Sequence, residues 1–144
     1  MNFQSIGSLF VSLSLLVMAC SSSKPATDTL SLTETRWVLV DVQGQPVKSS
    51  GTDRDASIQF TDADHKVTGS TGCNRMFGTY ELPDAGKIKF VGIGSTKMAC
   101  PDMSTESAFV KALEQTNAYS ISGNELQLKN DQTLVARLQA QASN

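Results

Sequence analysis

Apolar and polar residues alternate along most of the chain from Arg36 onward, and this pattern restricts the fold more than any other feature. Turn-forming residues interrupt the alternation about every 8 to 15 residues. Because a period of two puts apolar side chains on one face of a strand, the pattern is typical of an antiparallel sheet, and Trp37 is expected to anchor its core. Seven or eight strands are predicted, over residues 36–42, 56–61, 66–71, 76–82, 87–92, 118–122, 125–129 and 133–138.

One segment, residues 104–116, has a helical pattern instead. It begins with Ser104 as a good N-cap, carries the acid Glu106 in its first turn, and places Phe109 and Leu113 on one face. We therefore predict an α+β domain in which one α-helix packs on a curved antiparallel sheet, or incomplete β-barrel, of about seven or eight strands.

The start of the chain differs from the rest, because all 12 basic and 14 acidic side chains lie between Lys24 and Arg137. Residues 6–17 form an uncharged, mainly apolar run. The run is shorter than the roughly 20 residues that a transmembrane helix needs, and its length is typical of a signal-peptide core. We expect residues 1–19 to be a signal peptide.

The leader ends in VMAC, residues 17–20, which resembles the bacterial lipobox. In that motif the cysteine is acylated and becomes a membrane anchor, which is stable when two or more chains are attached. We expect Cys20 to be lipidated, residues 20–32 to be a flexible tether, and a folded domain to span 33–139. Ser21 favours the outer membrane facing the periplasm. The alternative is a buried cysteine near an ordinary secretory cleavage site.

Charge and length limit the functions that the chain can have. The formal net charge is −2 and the isoelectric point is near 5.3, which argues against a nucleic-acid partner because neutralising phosphates requires a basic face. The 144 residues suffice for one domain and are too few for a dinucleotide-binding domain with a separate substrate domain.

Three fragments carry a family resemblance. They are WVL at 37–39, GSTGCNRMFGTY at 69–80 and STKMACP at 95–101. With these fragments the chain resembles the META domain family, which includes the HslJ-like bacterial heat-shock lipoproteins. The resemblance implies an envelope protein of the stress-response type, and it supplies no catalytic residues.

Cys73 and Cys100 are the two thiols that remain once Cys20 is acylated. In an oxidising compartment an even pair favours a disulfide, and reduced, buried thiols are the alternative. Soft sulfur ligands suit Cu(I), although methionine is also a common core filler. The corresponding copper hypothesis involves Cys73, Met76, Met98, Cys100 and Met103. No cofactor is expected.

Asn74, Arg75 and Lys97 form a candidate contact patch within the family fragments. The two cations are suited to an anionic or protein partner, whereas Asn74 can instead satisfy backbone groups of a buried loop. Catalysis is not expected, because His65 is the only histidine and would have to pair with Cys100. The aspartate pairs at 53/55 and 62/64 are predicted to lie in solvated turns rather than in calcium loops.

These observations favour a non-catalytic, lipid-anchored envelope protein that binds a protein or a small hydrophobic ligand with its curved sheet. A structural or chaperone-like lipoprotein that supports an envelope complex is the alternative, and an enzyme or copper-binding protein is the third choice. An apolar cavity of about 300 Å³ or more inside the sheet would favour the small ligand, and a filled interior would favour a protein partner.

Overall fold

A nine-stranded antiparallel sheet and one helix form the part of the chain that the computed structural model describes, residues 30–141. The predicted signal peptide, Cys20 and most of the predicted tether lie outside these residues. The elements are β1 (Arg36–Val42), β2 (Gln45–Pro46), β3 (Ser57–Thr61), β4 (Lys66–Ser70), β5 (Arg75–Glu81), β6 (Lys89–Ser95), α1 (Ser104–Gln115), β7 (Ala118–Ser122), β8 (Glu125–Asn130) and β9 (Thr133–Gln141).

The strand order is β6-β5-β4-β3-β1-β9-β8-β7, and β2 forms a short hairpin with β1. Most neighbours in the sheet follow one another along the chain, and β3 pairs with β1 after the short strand β2 and the loop before β3. The pair β1 and β9 is different, because the first and last strands meet in the middle of the sheet with Arg36 opposite Gln141. Both halves of the sheet therefore depend on a contact between distant parts of the chain.

The two outer strands of the sheet come together at one end. Just before β6, Lys87 bridges Ala118 at the start of β7, and the N–H of Tyr119 donates to the carbonyl of Gly86 at 2.9 Å. The sheet is thus curled into a half-barrel, and α1 packs against β1, β6, β8 and β9. This confirms the predicted α+β class and the single helix on a curved antiparallel sheet.

Large side chains fill the interior of the half-barrel. Trp37 is fully buried, and its indole N–H donates to the carbonyl of Leu32 at 3.0 Å, so the polar end of the ring is satisfied. Phe60 and Tyr80 pack edge to face at 5.0 Å, and Phe109 of α1 joins the same cluster. Burial of each side chain of this size contributes roughly 1.5–3 kcal/mol.

Most predicted strands differ from the observed ones by one to three residues at an end, and two of the departures from the predictions have local reasons. The strand predicted at 87–92 is β6, which continues to Ser95 because Gly92, at φ 62°, absorbs a register shift against β5. Ser104 is not the N-cap of α1, since it is already the first helical residue, and Asp102 accepts a hydrogen bond from its N–H at 2.8 Å. Within residues 30–141 no helix is both long enough and apolar enough to cross a membrane.

Candidate functional site

The second and third family fragments meet at one corner of the sheet. The β4–β5 loop, which contains Cys73, lies against the segment that links β6 to α1, which contains Cys100. A disulfide joins the two cysteines, whose Cα atoms are 6.5 Å apart and which are separated by 27 positions in sequence. This is the pairing that the sequence favours.

Asn74 connects the same two segments through a buried side chain. The residue is only 1% exposed. Its Oδ1 accepts from the N–H of Met98 at 2.8 Å and from the hydroxyl of Thr96 at 2.9 Å. Its Nδ2 donates to the carboxylate of Glu106 at 2.8 Å. A buried amide with both ends satisfied fixes the loop geometry around it.

Glu106 points inward from the first turn of α1 and is buried. Besides Asn74, the hydroxyl of Thr71 donates to its carboxylate at 2.7 Å, and Ser95 lies at 3.5 Å. Burial raises the pKa of Glu106, but the hydrogen bonds from Thr71, Asn74 and Ser95 outweigh it, so its pKa lies below the ordinary value. The site therefore contains a buried, ionised carboxylate at a helix N-terminus, where negative charge is favoured.

The predicted contact patch is corrected at Asn74, because this side chain is used inside the protein and is not available to a partner. Arg75 and Lys97 are exposed and remain close to each other, since the backbone of Arg75 bonds to Thr96 in both directions, at 3.0 and 3.1 Å. The patch thus reduces to two cations. From the sequence, Glu106 is predicted only to be a favourable acid in the first helical turn.

The sulfur atoms of the copper hypothesis do not form a set of soft ligands. Met76 is buried in the core, whereas Met98 and Met103 are exposed. Cys73 and Cys100 share a disulfide and therefore present no thiolate. Across residues 30–141, no three His, Cys, Asp or Glu residues gather in a group that could hold a metal ion.

His65 lies in the exposed β3–β4 turn, with its ring centroid 5.5 Å from that of Tyr80. Since Cys100 is in a disulfide, it offers no thiol to this histidine. The hydroxyl of Tyr80 is buried and has no hydrogen-bond partner among the described residues. Burial raises the pKa of Tyr80, and the negative charges of Asp62 and Asp64 raise it further.

The prediction that all four turn aspartates are solvated is wrong for Asp55, which is buried. Burial raises the pKa of Asp55, but the hydrogen bonds that it accepts outweigh this effect and hold the pKa well below its ordinary value. These bonds, of 2.6 to 3.2 Å, come from the N–H groups of Ser50, Gly51 and Thr52 and from the hydroxyls of Ser49 and Ser50. Asp55 therefore organises the loop before β3.

An open groove of about 1200 Å³ lies beside the disulfide, and we call it the disulfide groove. It is bordered by the β3–β5 strands, by the loop before β3 and by the segment before α1. The lining residues include Arg36, Arg54, Thr68, Arg75, Phe77, Met98 and Asp102. A smaller depression of about 280 Å³ shares Arg54, Gly72, Cys73 and Asp102 with it. None of the large core aromatics lines either depression.

A comparison with known families decides the identity of the domain. Residues 30–142 match the sequence profile of the META domain. The chain belongs to the META domain family. The matched range contains the predicted domain of residues 33–139 and confirms the resemblance that the three fragments suggest.

Solved structures share this META fold. A protein from Burkholderia xenovorans, determined by NMR, is 26% identical with a TM-score of 0.63, covering 78% of this chain and 85% of its own. A second NMR structure is 24% identical with a TM-score of 0.56, covering 73% and 88%. A DUF4847 family protein from Bacteroides vulgatus is 18% identical with a TM-score of 0.56, covering 78% and 96%. The last two support the fold alone. No curated protein matches the chain.

The family fragments of this META domain have an architectural role. Tyr80 belongs to the core, Asn74 and Thr96 build the buried network, and Cys73 and Cys100 close the corner. The exposed residues of the same fragments, such as Arg75 and Met98, line the disulfide groove instead. The corner thus combines a rigid interior with an accessible surface.

Proposed function

We propose that this META domain is a non-catalytic, lipid-anchored module of the bacterial envelope that holds a partner protein in the disulfide groove. The observation that carries the proposal is the groove itself, an open surface with exposed apolar and cationic side chains at a corner that is fixed by a disulfide and a buried polar network. A site that is rigid before binding loses little conformational entropy when a partner binds.

The filled interior favours a protein partner over a small hydrophobic ligand. Small-molecule sites are usually enclosed and mainly apolar, and the concave side of this sheet is occupied by Trp37, Phe60, Tyr80 and Phe109. The disulfide groove is open and has a mixed lining, which suits a segment of polypeptide.

The lipobox at residues 17–20 supports attachment through Cys20 at the periplasmic face of the outer membrane. The similarity to HslJ-like heat-shock lipoproteins supports a role in envelope stress tolerance. Both features come from the sequence, and each can be tested apart from the groove.

Lipid attachment is tested by metabolic labelling with an alkyne fatty acid. Cys20→Ala should abolish incorporation of the label and release the protein from the membrane fraction, because the acylated atom is gone. Ser22→Ala is the matched control and should be labelled normally. A Cys20→Ala protein that still incorporates the label would refute the anchor.

Partner binding is tested by placing a photo-crosslinking amino acid at Thr68, an exposed residue that lines the groove. Irradiation of intact cells should give discrete protein adducts. The same amino acid at Lys111, exposed on α1 and not among the lining residues, is the control. The same adduct pattern at both positions, or none at Thr68, would refute binding in the groove.

A further inference from the structure

The two most exposed large apolar side chains of the described residues both line the disulfide groove. Met98 is 59% exposed and Phe77 is 52% exposed. Single exposed apolar residues are common on protein surfaces, but two in one concave site that also contains cations indicate a place where another molecule contacts the protein. The partner that fits must therefore offer an apolar group.

Phe77 is held in place by the sheet. It lies on the exposed face of β5, opposite Gly94 of β6. A Cβ atom at Gly94 would lie 2.9 Å from Cε2 and 3.2 Å from Cζ of Phe77, so the ring lies over the glycine. Because Gly94 has no side chain, the Phe77 ring can rest against the sheet and present a fixed apolar surface. A fixed ring loses less conformational entropy when a partner binds.

The charged side chains that line the groove carry one more positive than negative charge. Arg54 and Arg75 have no side-chain hydrogen bond or ion pair with any residue in 30–141, and three arginines stand against two aspartates in the lining. Asp102, one of these acids, already accepts the hydrogen bond from Ser104 at the start of α1. A net positive groove on a chain of net charge −2 favours an anionic partner.

Arg36 has a different role from the other two arginines. It donates to the side chains of Gln141 and Ser57 and, at 3.4 Å, to the carbonyl of Asp53, so its position is set by the protein. Arg54 and Arg75 are the guanidinium groups that remain available to carboxylates, which they can bind with two parallel hydrogen bonds.

We propose that the disulfide groove binds an extended segment of a partner protein that carries acidic residues beside an apolar side chain. The carboxylates bind Arg54 and Arg75, and the apolar side chain packs on Phe77 and Met98. This inference rests on the proposed function and specifies its partner. Electrostatic attraction directs the approach, and the apolar contact adds affinity at the centre of the site.

The test is a selection from a displayed library of random dodecapeptides on the full chain, purified in detergent. Enriched peptides should combine Asp or Glu with a large apolar residue. For a fluorescently labelled enriched peptide, Arg54→Glu with Arg75→Glu should weaken binding by about tenfold or more, and added salt should weaken it as well. Lys111→Glu, which reverses an exposed charge on α1, is the matched control and should leave the affinity unchanged.

Gly94→Ala tests the apolar half of the proposal. The added methyl group should push the exposed Phe77 ring off the sheet and weaken binding by about threefold to tenfold. Circular dichroism and thermal unfolding should show a native fold, because the clash is with the far end of an exposed side chain. Unchanged affinity in a folded Gly94→Ala protein would refute the contact with Phe77.

Other outcomes overturn the proposal in distinct ways. Enrichment of neutral or basic peptides, or equal enrichment on the double-arginine variant, would refute an acidic segment. Binding to vesicles with 30% phosphatidylglycerol, lost in the double-arginine variant and without peptide enrichment, would show that the groove contacts a membrane surface. If Thr68 gives adducts in cells but no acidic peptide is enriched, partner binding stands and its proposed chemistry is wrong.

Discussion

The side-chain amide of Asn74 uses both of its ends inside the protein. Its oxygen holds the segment after β6 through Met98 and Thr96, and its nitrogen holds α1 through Glu106. One residue in a loop therefore fixes the relative position of a strand, a connecting segment and a helix. Asn74→Asp replaces this nitrogen by oxygen and leaves the side-chain volume unchanged. It therefore tests the electrostatic part of the role of Asn74 separately from its packing.

We expect Asn74→Asp to lower the free energy of unfolding at pH 7 by about 3 kcal/mol, because it places a second carboxylate against the buried Glu106. The loss should become smaller in acid, where one proton is shared between the two groups. Urea unfolding at pH 7 and pH 4 measures both effects. Asn124→Asp, in an exposed turn, is the control, and equal stability of the two variants would contradict the prediction.

Glu106 gives a pH dependence whose sign follows from its lowered pKa. The charged form is favoured in the folded state, so its contribution to stability is complete above its ordinary value of 4.5 and is lost as the pH falls through the lower folded-state value. Glu106→Gln should be less stable than the native protein by about 1–3 kcal/mol at pH 7.

This deficit should shrink as the pH falls below 4.5 and disappear below the lower folded-state pKa, where the native carboxylate is protonated too. Unfolding free energies between pH 2.5 and pH 7 would measure it. Glu114→Gln changes an exposed glutamate of the same helix and should show no such trend. A deficit of Glu106→Gln that stays constant over this range would show that charge is not involved.

At the scale of elements, the loop before β3 is organised by one acid rather than by regular backbone pairing. Asp55→Ala leaves three N–H groups and two hydroxyls without their partner, so we expect a loss of about 2–3 kcal/mol and faster proteolysis of residues 48–54. Asp53→Ala, an exposed acid two positions earlier, should change neither. Similar cleavage of both variants would show that Asp55 does not hold the loop.

The sequence predicts elements well wherever a local pattern determines them. The strands at 36–42 and 118–122 have the predicted bounds, because period-two alternation and turn residues suffice there. No pattern predicts the two-residue strand β2, because two residues are too few to show a period. The prediction for β6 begins two residues too early and ends three residues too early, because Gly92 is typical of a strand end, whereas the fold uses it as a bulge.

The corner was only partly predictable for a different reason. The disulfide can be predicted because two cysteines remain after Cys20 and because an oxidising compartment favours their pairing. The inward direction of Glu106, in contrast, depends on packing between α1 and the β4–β5 loop. The spacing of 106, 109 and 113 places Glu106 on the buried face of the helix, and this signal was available. Its partners Thr71 and Asn74 lie more than 30 positions away, and no local pattern connects them.

For the whole molecule, the disulfide closes a loop that includes β5 and β6. On the chain-entropy model, a separation of 27 residues corresponds to roughly 3.5 kcal/mol of stability. Cys73→Ser with Cys100→Ser should therefore unfold at lower denaturant concentration while keeping its native circular dichroism. Reductant should destabilise the native protein and leave the double variant unchanged. A native protein that is insensitive to reductant, with its thiols shown to be reduced, would refute this role.

The pairing of β1 with β9 also sets the order of events in folding. β1 cannot complete its pairing until Gln141 is available, so neither half of the sheet can reach its final stability while the chain is still emerging. Contacts of such large sequence separation slow folding, because the entropy of closing a long loop must be overcome before the contact forms. The β1–β9 pairing therefore couples the two halves of the sheet, because each half reaches its final stability only when the first and last strands of the described residues are paired.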